Sequence, residues 1–151
     1  ASWTEVGDLN TARKEINGAG TSTSAIAFGV RVDPPVAANT EIYNGSSWTE
    51  VNNLNTATYW AGCAGASNSD AMKMGGNTAP SNNSSATVET WNGTNWTEVA
   101  DLTVALVGTG GSGNTTAALA AGGTNTESGT YYSSSLEWNS TSTVTKTVST
   151  D

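Results

Sequence analysis

Four residues in a row, Trp-Thr-Glu-Val, occur three times, at Trp3–Val6, Trp48–Val51 and Trp96–Val99, with steps of 45 and 48 residues. A longer phrase recurs around them. An aromatic-Asn-Gly turn precedes the later copies (Tyr43-Asn44-Gly45 and Trp91-Asn92-Gly93). Leu9–Ala12, Leu54–Ala57 and Leu102–Ala105 follow the three copies. A repeat of this length is one supersecondary unit that cannot bury its own apolar face, so neighbouring units must stack. The 151 residues therefore read as an array of three units rather than as one ordinary domain.

Composition narrows what the units can be. Apolar residues make up 36% of the chain, while Gly, Ser, Thr, Ala and Asn dominate. A thick aliphatic core is out of reach. Closely packed sheets are possible, with the larger contacts supplied by six Trp and four Tyr. The formal charge is −8, and only two Arg and three Lys are present, scattered along the chain. Nucleic acid and anionic membrane are poor partners for such a chain. No apolar run is long enough for a membrane span.

Each unit reads as four short strands. The first is made of very small residues (Asn17–Gly20, Gly62–Gly65, Gly108–Gly111), which suits a crowded place where backbones approach closely. The second is apolar with strand alternation: Ala25–Phe28, Ala71–Met74 and Ala117–Ala121. The third carries the aromatic: Glu41–Tyr43, Val88–Trp91 and Leu136–Trp138. The fourth is Trp48–Val51, Trp96–Val99 and, in the last unit, Val144–Val148. Asn-Gly between third and fourth strands makes a tight hairpin. The second-to-third connections (Arg31–Asn39, Asn77–Ala86, Thr124–Ser134) vary most, and one variable loop per unit on a constant frame is a common arrangement for binding.

In this order the unit resembles the kelch repeat, whose marks are a diglycine, an aromatic and a spaced Trp. Here these are Gly75-Gly76 and Gly122-Gly123, then Tyr43, Trp91 and Trp138, then Trp48 and Trp96. Leu9–Arg13 is similar to the Thr-Ala-Arg phrase that opens a kelch blade. The first unit departs with Gly29-Val30, and the third with Thr143 at the final Trp position. The resemblance implies an all-β fold of three four-stranded antiparallel blades plus one extra N-terminal strand, part of a larger or oligomeric propeller. Residues 1–6 would be the outer strand of a preceding blade, 7–51 blade 1, 52–99 blade 2, and 100–151 blade 3 with the C-terminus. Three blades are fewer than the ~4–8 of typical propellers. The favoured expectation is a piece of a longer polypeptide. The alternatives are a ring closed by several copies, or donation of Ser2–Val6 to a neighbouring chain.

The wording of the repeat further resembles kelch-like arrays in virion and tail proteins of marine bacteriophages. That likeness implies a non-enzymatic structural or adhesive module on a virion surface, extracellular, oligomeric, contacting host glycan or other virion chains. The alternatives are a cellular kelch-type interaction scaffold and a carboxylate-dependent carbohydrate-active enzyme. The absence of His excludes a Ser-His-Asp triad, a Cys-His pair or a His-based zinc site. No cofactor or metal is expected. Glu5, Glu50 and Glu98, and less strictly Glu41 and Glu89, recur at fixed places, and alternation points them to solvent. Lone Cys63, in Ala-Gly-Cys-Ala-Gly, reads as a small buried residue. Asn44, Asn82, Asn83, Asn92, Asn95, Asn114 and Asn139 begin Asn-x-Ser/Thr, which matters only on a glycosylating route. Tyr59-Trp60 stands where the other units have Lys14-Glu15 and Val107-Gly108. With Tyr131 and Tyr132 in the third variable loop, these aromatics are the expected ligand contacts.

Overall fold

The computed structural model describes residues 1–31, 36–78 and 83–140. Every regular element among them is a strand. In chain order these are β1 (Asn17–Thr21), β2 (Ser24–Arg31), β3 (Val36–Tyr43), β4 (Trp48–Val51), β5 (Thr58–Tyr59), β6 (Gly62–Ser67), β7 (Asp70–Met74) and β8 (Asn77–Thr78). They continue with β9 (Asn83–Ser84), β10 (Val88–Trp91), β11 (Trp96–Val99), β12 (Gly110–Gly113), β13 (Ala117–Ala121), β14 (Thr124–Asn125), β15 (Thr130–Tyr131) and β16 (Ser135–Asn139). Each repeat unit contributes one antiparallel sheet, ordered β1-β2-β3-β4, β6-β7-β10-β11 and β12-β13-β16. The strand expected at Val144–Val148 lies outside the described residues. Ser2–Val6 is not a strand: residues 1–9 pair with nothing regular, and Trp3 is fully exposed. An extended segment without a ladder partner leaves its backbone hydrogen bonds to water.

The small-residue strands β1, β6 and β12 lie side by side. Cys63 Sγ donates to the Gly18 carbonyl at 2.9 Å, and a Cβ on Gly111 would collide with the Cys63 carbonyl oxygen. The sheets come so close here that Gly, Ala, Ser and Cys fill every position of the three strands but the ends of β1, Asn17 and Thr21. Cys63 is half-buried along this seam rather than enclosed.

Away from the seam, large side chains fill the space between sheets. Between the first and second lie Ile26, Phe28, Leu54, Ala71, Trp91 and Trp96, all buried. Trp96 is the interlock. Its ring meets Phe28 edge-on at 4.9 Å and Trp91 at 5.5 Å, and its Nε1 donates to Thr40 Oγ1 at 3.0 Å. Burying one such ring contributes roughly 4–6 kcal/mol at most. The second and third sheets meet through Ala64, Met72, Met74, Val88, Ala118 and Ala120. Each later unit also grips its predecessor with a hairpin tip. Asn68 donates to the Tyr43 carbonyl at 3.0 Å and to Ser24 Oγ at 3.1 Å, and the Thr115 N–H donates to Asp70 Oδ1 at 3.1 Å.

The turns are fixed by their residues. Asn44 Oδ1 accepts from the N–H groups of Ser46 and Ser47, and Asn92 Oδ1 from those of Thr94 and Asn95. After the second strand the backbone swings into the left-handed region at Gly75 (φ 65°), where a Cβ would collide with the Leu106 carbonyl oxygen. Gly108 has the same φ, 65°, but nothing within 4 Å of a built Cβ. Gly75→Ala is therefore expected to cost about 2–4 kcal/mol, from strain plus collision, and Gly108→Ala about 1 kcal/mol, from strain alone. Urea unfolding followed by Trp fluorescence checks the order; equal losses would refute it.

Candidate functional site

The strand directions bring the three variable connections to one end of the sheets, beside the loops that enter each unit. Backbone pairing fixes this neighbourhood. Lys14 bridges Arg31, Tyr59 pairs with Asn77, and Val107 bridges Thr124. Two variable connections form short hairpins of their own, β8–β9 and β14–β15. These hairpins hold each other: the Ser84 N–H donates to Glu127 Oε1 at 2.6 Å, and the Thr126 N–H to Ser84 Oγ at 2.8 Å. Hydrogen bonds from its own backbone, then from Ser84, lower the Glu127 carboxyl from its ordinary value.

Trp60 is the residue that stands out at this end. It sits at φ 53°, and the matching residues are Glu15 at φ 56° and Gly108 at φ 65°. The corner is built into the repeat, and only the third unit has the residue that adopts it freely. For a side chain with a Cβ the left-handed conformation costs roughly 1–2 kcal/mol. Trp60 is nevertheless 48% exposed. Its carbonyl accepts from the Gly108 N–H at 2.8 Å, which ties the corner to the next unit.

The other expected contacts divide. Tyr59 is buried, with the Arg31 guanidinium 5.5 Å over its ring, so it offers no open face. Trp60, past the end of β5, turns its ring back to 5.6 Å from that of Tyr59 and leaves the other side to solvent. Tyr131, on β15, is 87% exposed, and Tyr132 is half-buried. Trp60 and Tyr131 belong to the same end, linked through Gly108, Val107 and Thr124. Arg31, which also lies 3.7 Å from Glu15, and Glu127 add charge there. Neither charged residue was legible as a site residue, because nothing in the repeat marks them.

The recurrent carboxylates are not one ring. Glu5, Glu50 and Glu98 are exposed, as alternation requires. Glu41 and Glu89 are fully buried, against the expectation that they face solvent. The loops entering their own units, at Asn10–Arg13 and Asn55–Thr56, lie over them, so alternation no longer selects an outward side. Each of these two acids organises the loop entering its own unit. Asn10 donates its N–H and Nδ2 to Glu41 Oε2 at 2.9 and 2.8 Å, and Asn55 does the same to Glu89 Oε2 at 2.8 and 3.0 Å.

Each buried acid also has a cation, supplied from a different place. Glu41 pairs with Arg13 from the entering loop, and Glu89 lies 3.6 Å from Lys73 on β7. Thr58 replaces the Arg in the second unit, and Ala27 replaces the Lys in the first. In the third unit the register places Leu136 and Ala120 at the acid and Lys positions, with Leu106 at the Arg position. The charge set is present or absent as a whole, as expected when half of a buried pair is worse than none. Burial lowers the Lys73 ammonium pKa from its ordinary value, against the pull of Glu89. Loop donors and a fixed cation occupy the Glu41 and Glu89 carboxylates, which hold the entering loops in place.

Among the described residues no group of three or more Cys, Asp or Glu side chains is placed to hold a metal ion. No helix there is long and apolar enough to cross a membrane. No protein-family model matches the chain, and no curated protein matches it.

Glu89→Gln leaves a buried ammonium uncompensated and is expected to cost about 3–5 kcal/mol. Copying the third unit's solution, Lys73→Ala with Glu89→Leu, should recover most of that loss. A double-mutant cycle in urea measures the coupling; additive losses would show that the pair acts as two independent residues. The pH dependence has a definite sign. Because the folded state lowers the Lys73 pKa, the unfolded chain holds that proton more tightly. The Lys73 contribution to stability thus rises with pH up to the ordinary Lys value, and Lys73→Met removes that rise.

Proposed function

We propose that this chain is a non-enzymatic structural and adhesive module, built of kelch-like propeller blades and carried on the surface or tail of a virion. Its variable-loop end contacts a host glycan or a neighbouring virion protein. One observation carries the binding part of this reading. Trp60 is presented to solvent from a backbone corner that costs a non-glycine residue free energy, although the repeat has a strain-free alternative in Gly108. Strain kept at an exposed aromatic is the kind of local cost that binding sites retain. Exposed Tyr131 at the same end extends the surface, and flat aromatic faces stack on sugar rings and anchor protein contacts. The virion setting rests on the wording of the repeat.

Replacing the anchors tests the reading without disturbing the frame. Trp60→Gly relieves the corner and loses the packing of its ring on Tyr59, so the two effects oppose and stability is expected to change by no more than about 1 kcal/mol. The same variant should weaken binding to intact host cells, or to their extracted surface polysaccharide, by at least about tenfold. Tyr131→Ala should weaken binding without changing stability. Binding is read by pull-down and by interferometry on immobilised polysaccharide. Unchanged binding in both variants would sink the adhesive role, and failure to find the chain in purified particles would sink the virion setting.

A further inference from the structure

Asn-Gly occurs at three places, Asn17-Gly18, Asn44-Gly45 and Asn92-Gly93. Asparagine is thermally labile because the nitrogen of the next residue can attack its side-chain carbonyl carbon. Glycine, having no Cβ, hinders that attack least. The structure treats the three steps differently. Asn17 is buried in the β1–β2 ladder, with its Nδ2 turned to the Phe28 carbonyl at 3.4 Å. Asn44 and Asn92 are exposed and open the hairpins between third and fourth strands, at the end opposite the variable loops.

In each of these two hairpins the carboxamide oxygen folds back over its own turn. Asn44 Oδ1 accepts from the N–H groups of Ser46 and Ser47, both at 3.0 Å, and from Ser46 Oγ at 2.9 Å. Asn92 Oδ1 accepts from the N–H groups of Thr94 and Asn95, both at 2.9 Å. Such bonds close only when the side chain lies across the intervening glycine peptide. Among the described residues no acceptor meets the Gly45 or Gly93 N–H. Donors at the carbonyl oxygen and an unengaged nitrogen beside the carbonyl carbon are the two halves of an acyl-transfer site. The β12–β13 hairpin supplies a contrast. Asn114 Oδ1 is held in the same way, by the Thr116 N–H at 2.9 Å, Thr116 Oγ1 at 2.7 Å and the Ala117 N–H at 3.0 Å. There the next residue is β-branched Thr115, and its N–H is already given to Asp70 Oδ1 at 3.1 Å.

The repeat also separates the two Asn-Gly turns from each other. Asn52, just after β4, clamps the Asn92 turn: its Nδ2 donates to the Thr94 carbonyl at 2.9 Å and to Asn95 Oδ1 at 3.0 Å. At the matching position against the Asn44 turn stands Gly7, which has no side chain to clamp with. Gly93 is half-buried, with Ser69 Cβ 3.1 Å from where its own Cβ would sit, whereas Gly45 is exposed.

We infer that the Asn44-Gly45 turn is a self-modifying site, where the chain deamidates its own asparagine, and that the clamped Asn92-Gly93 turn does so more slowly. Solvent base takes the Gly45 amide proton. The nitrogen bonds to Asn44 Cγ, and the charge developing on Oδ1 falls where Ser46 and Ser47 already donate. Collapse breaks the Cγ–Nδ2 bond and expels ammonia, its proton supplied by water. Water then opens the resulting five-membered imide at either carbonyl, giving aspartate or its β-linked isomer. The net change is carboxamide plus water to carboxylate plus ammonia, with no oxidation. The β-linked product lengthens the main chain by one atom in the turn that holds the Tyr43 and Trp48 rings 5.1 Å apart. The step uses the turn's own atoms and is independent of what the loop end binds.

Incubation of the 151-residue chain in mildly alkaline buffer, followed by peptide mapping that resolves aspartate from its β-linked isomer, tests this. Asn44 should convert first, Asn92 at least about threefold more slowly, and Asn17 and Asn114 at least about tenfold more slowly than Asn44. In urea, where sequence alone acts, Asn17, Asn44 and Asn92 should converge on one rate, no higher than that of folded Asn44. Ser46→Ala should slow Asn44 in the folded chain and leave it unchanged in urea. Asn52→Gly, which copies Gly7, should speed Asn92 and leave Asn44 as it was; Trp fluorescence checks that both variants are folded. Equal rates at the three Asn-Gly steps of the folded chain would overturn the proposal. So would a folded Asn44 slower than its unfolded counterpart, or an Asn92 rate indifferent to residue 52.

Discussion

Two-sided burial is the constraint on which the rest depends. Glu41 and Glu89 are inaccessible on third strands whose neighbours Thr40 and Val88 are also inaccessible. A sheet covered on both faces has no solvent side, so each needs a neighbouring sheet or an entering loop laid against it. This accounts for a composition that is poor in aliphatic residues and rich in Gly and Ala. Side chains must vanish along the inner seam so that sheets can converge, and a few large rings then fill the wedge that opens outward. Trp96 supplies both the filling and, through Thr40, a directional hydrogen bond that sets how the wedge is filled.

The same constraint explains why charge is buried at all. Each loop entering a unit brings backbone N–H groups into a place without water, and an acceptor must be there to meet them. A carboxylate on the third strand accepts several at once, and a cation then offsets its charge. The position of the cation is free; its presence is not. The first unit places it on the loop and the second on a strand, while the third dispenses with acid and base together. Three copies in one chain thus display three answers to one electrostatic problem.

Much of the fold was legible in the sequence, for local reasons. Asn-Gly, the strand alternation and the small-residue runs each dictate backbone conformation on their own, and the strands they mark appear close to where expected, except that the small-residue strand of the third unit runs over Gly110–Gly113 rather than Gly108–Gly111, because Gly108 occupies the left-handed corner before it. Burial of Glu41 and Glu89 was not legible, because alternation assigns faces without saying whether a neighbouring sheet covers the outer one. Burial of Tyr59 and exposure of Trp60 were not legible from alternation, because the left-handed corner at Trp60 ends the strand and brings the two rings to 5.6 Å of each other. That corner had left one trace, the Gly at 108 in line with Glu15 and Trp60. The identity of Trp3–Val6 with β4 and β11 predicts a strand, but identity of residues does not supply a partner.

The hairpin clasps give the array a mechanical sense. Asn68 and Thr115 both reach backward, so each unit is latched to the one before it by polar bonds at the tip as well as by apolar packing behind it. Two separated points of attachment, polar at the tip and apolar in the wedge, hold each unit against rotation as well as against separation from its neighbour.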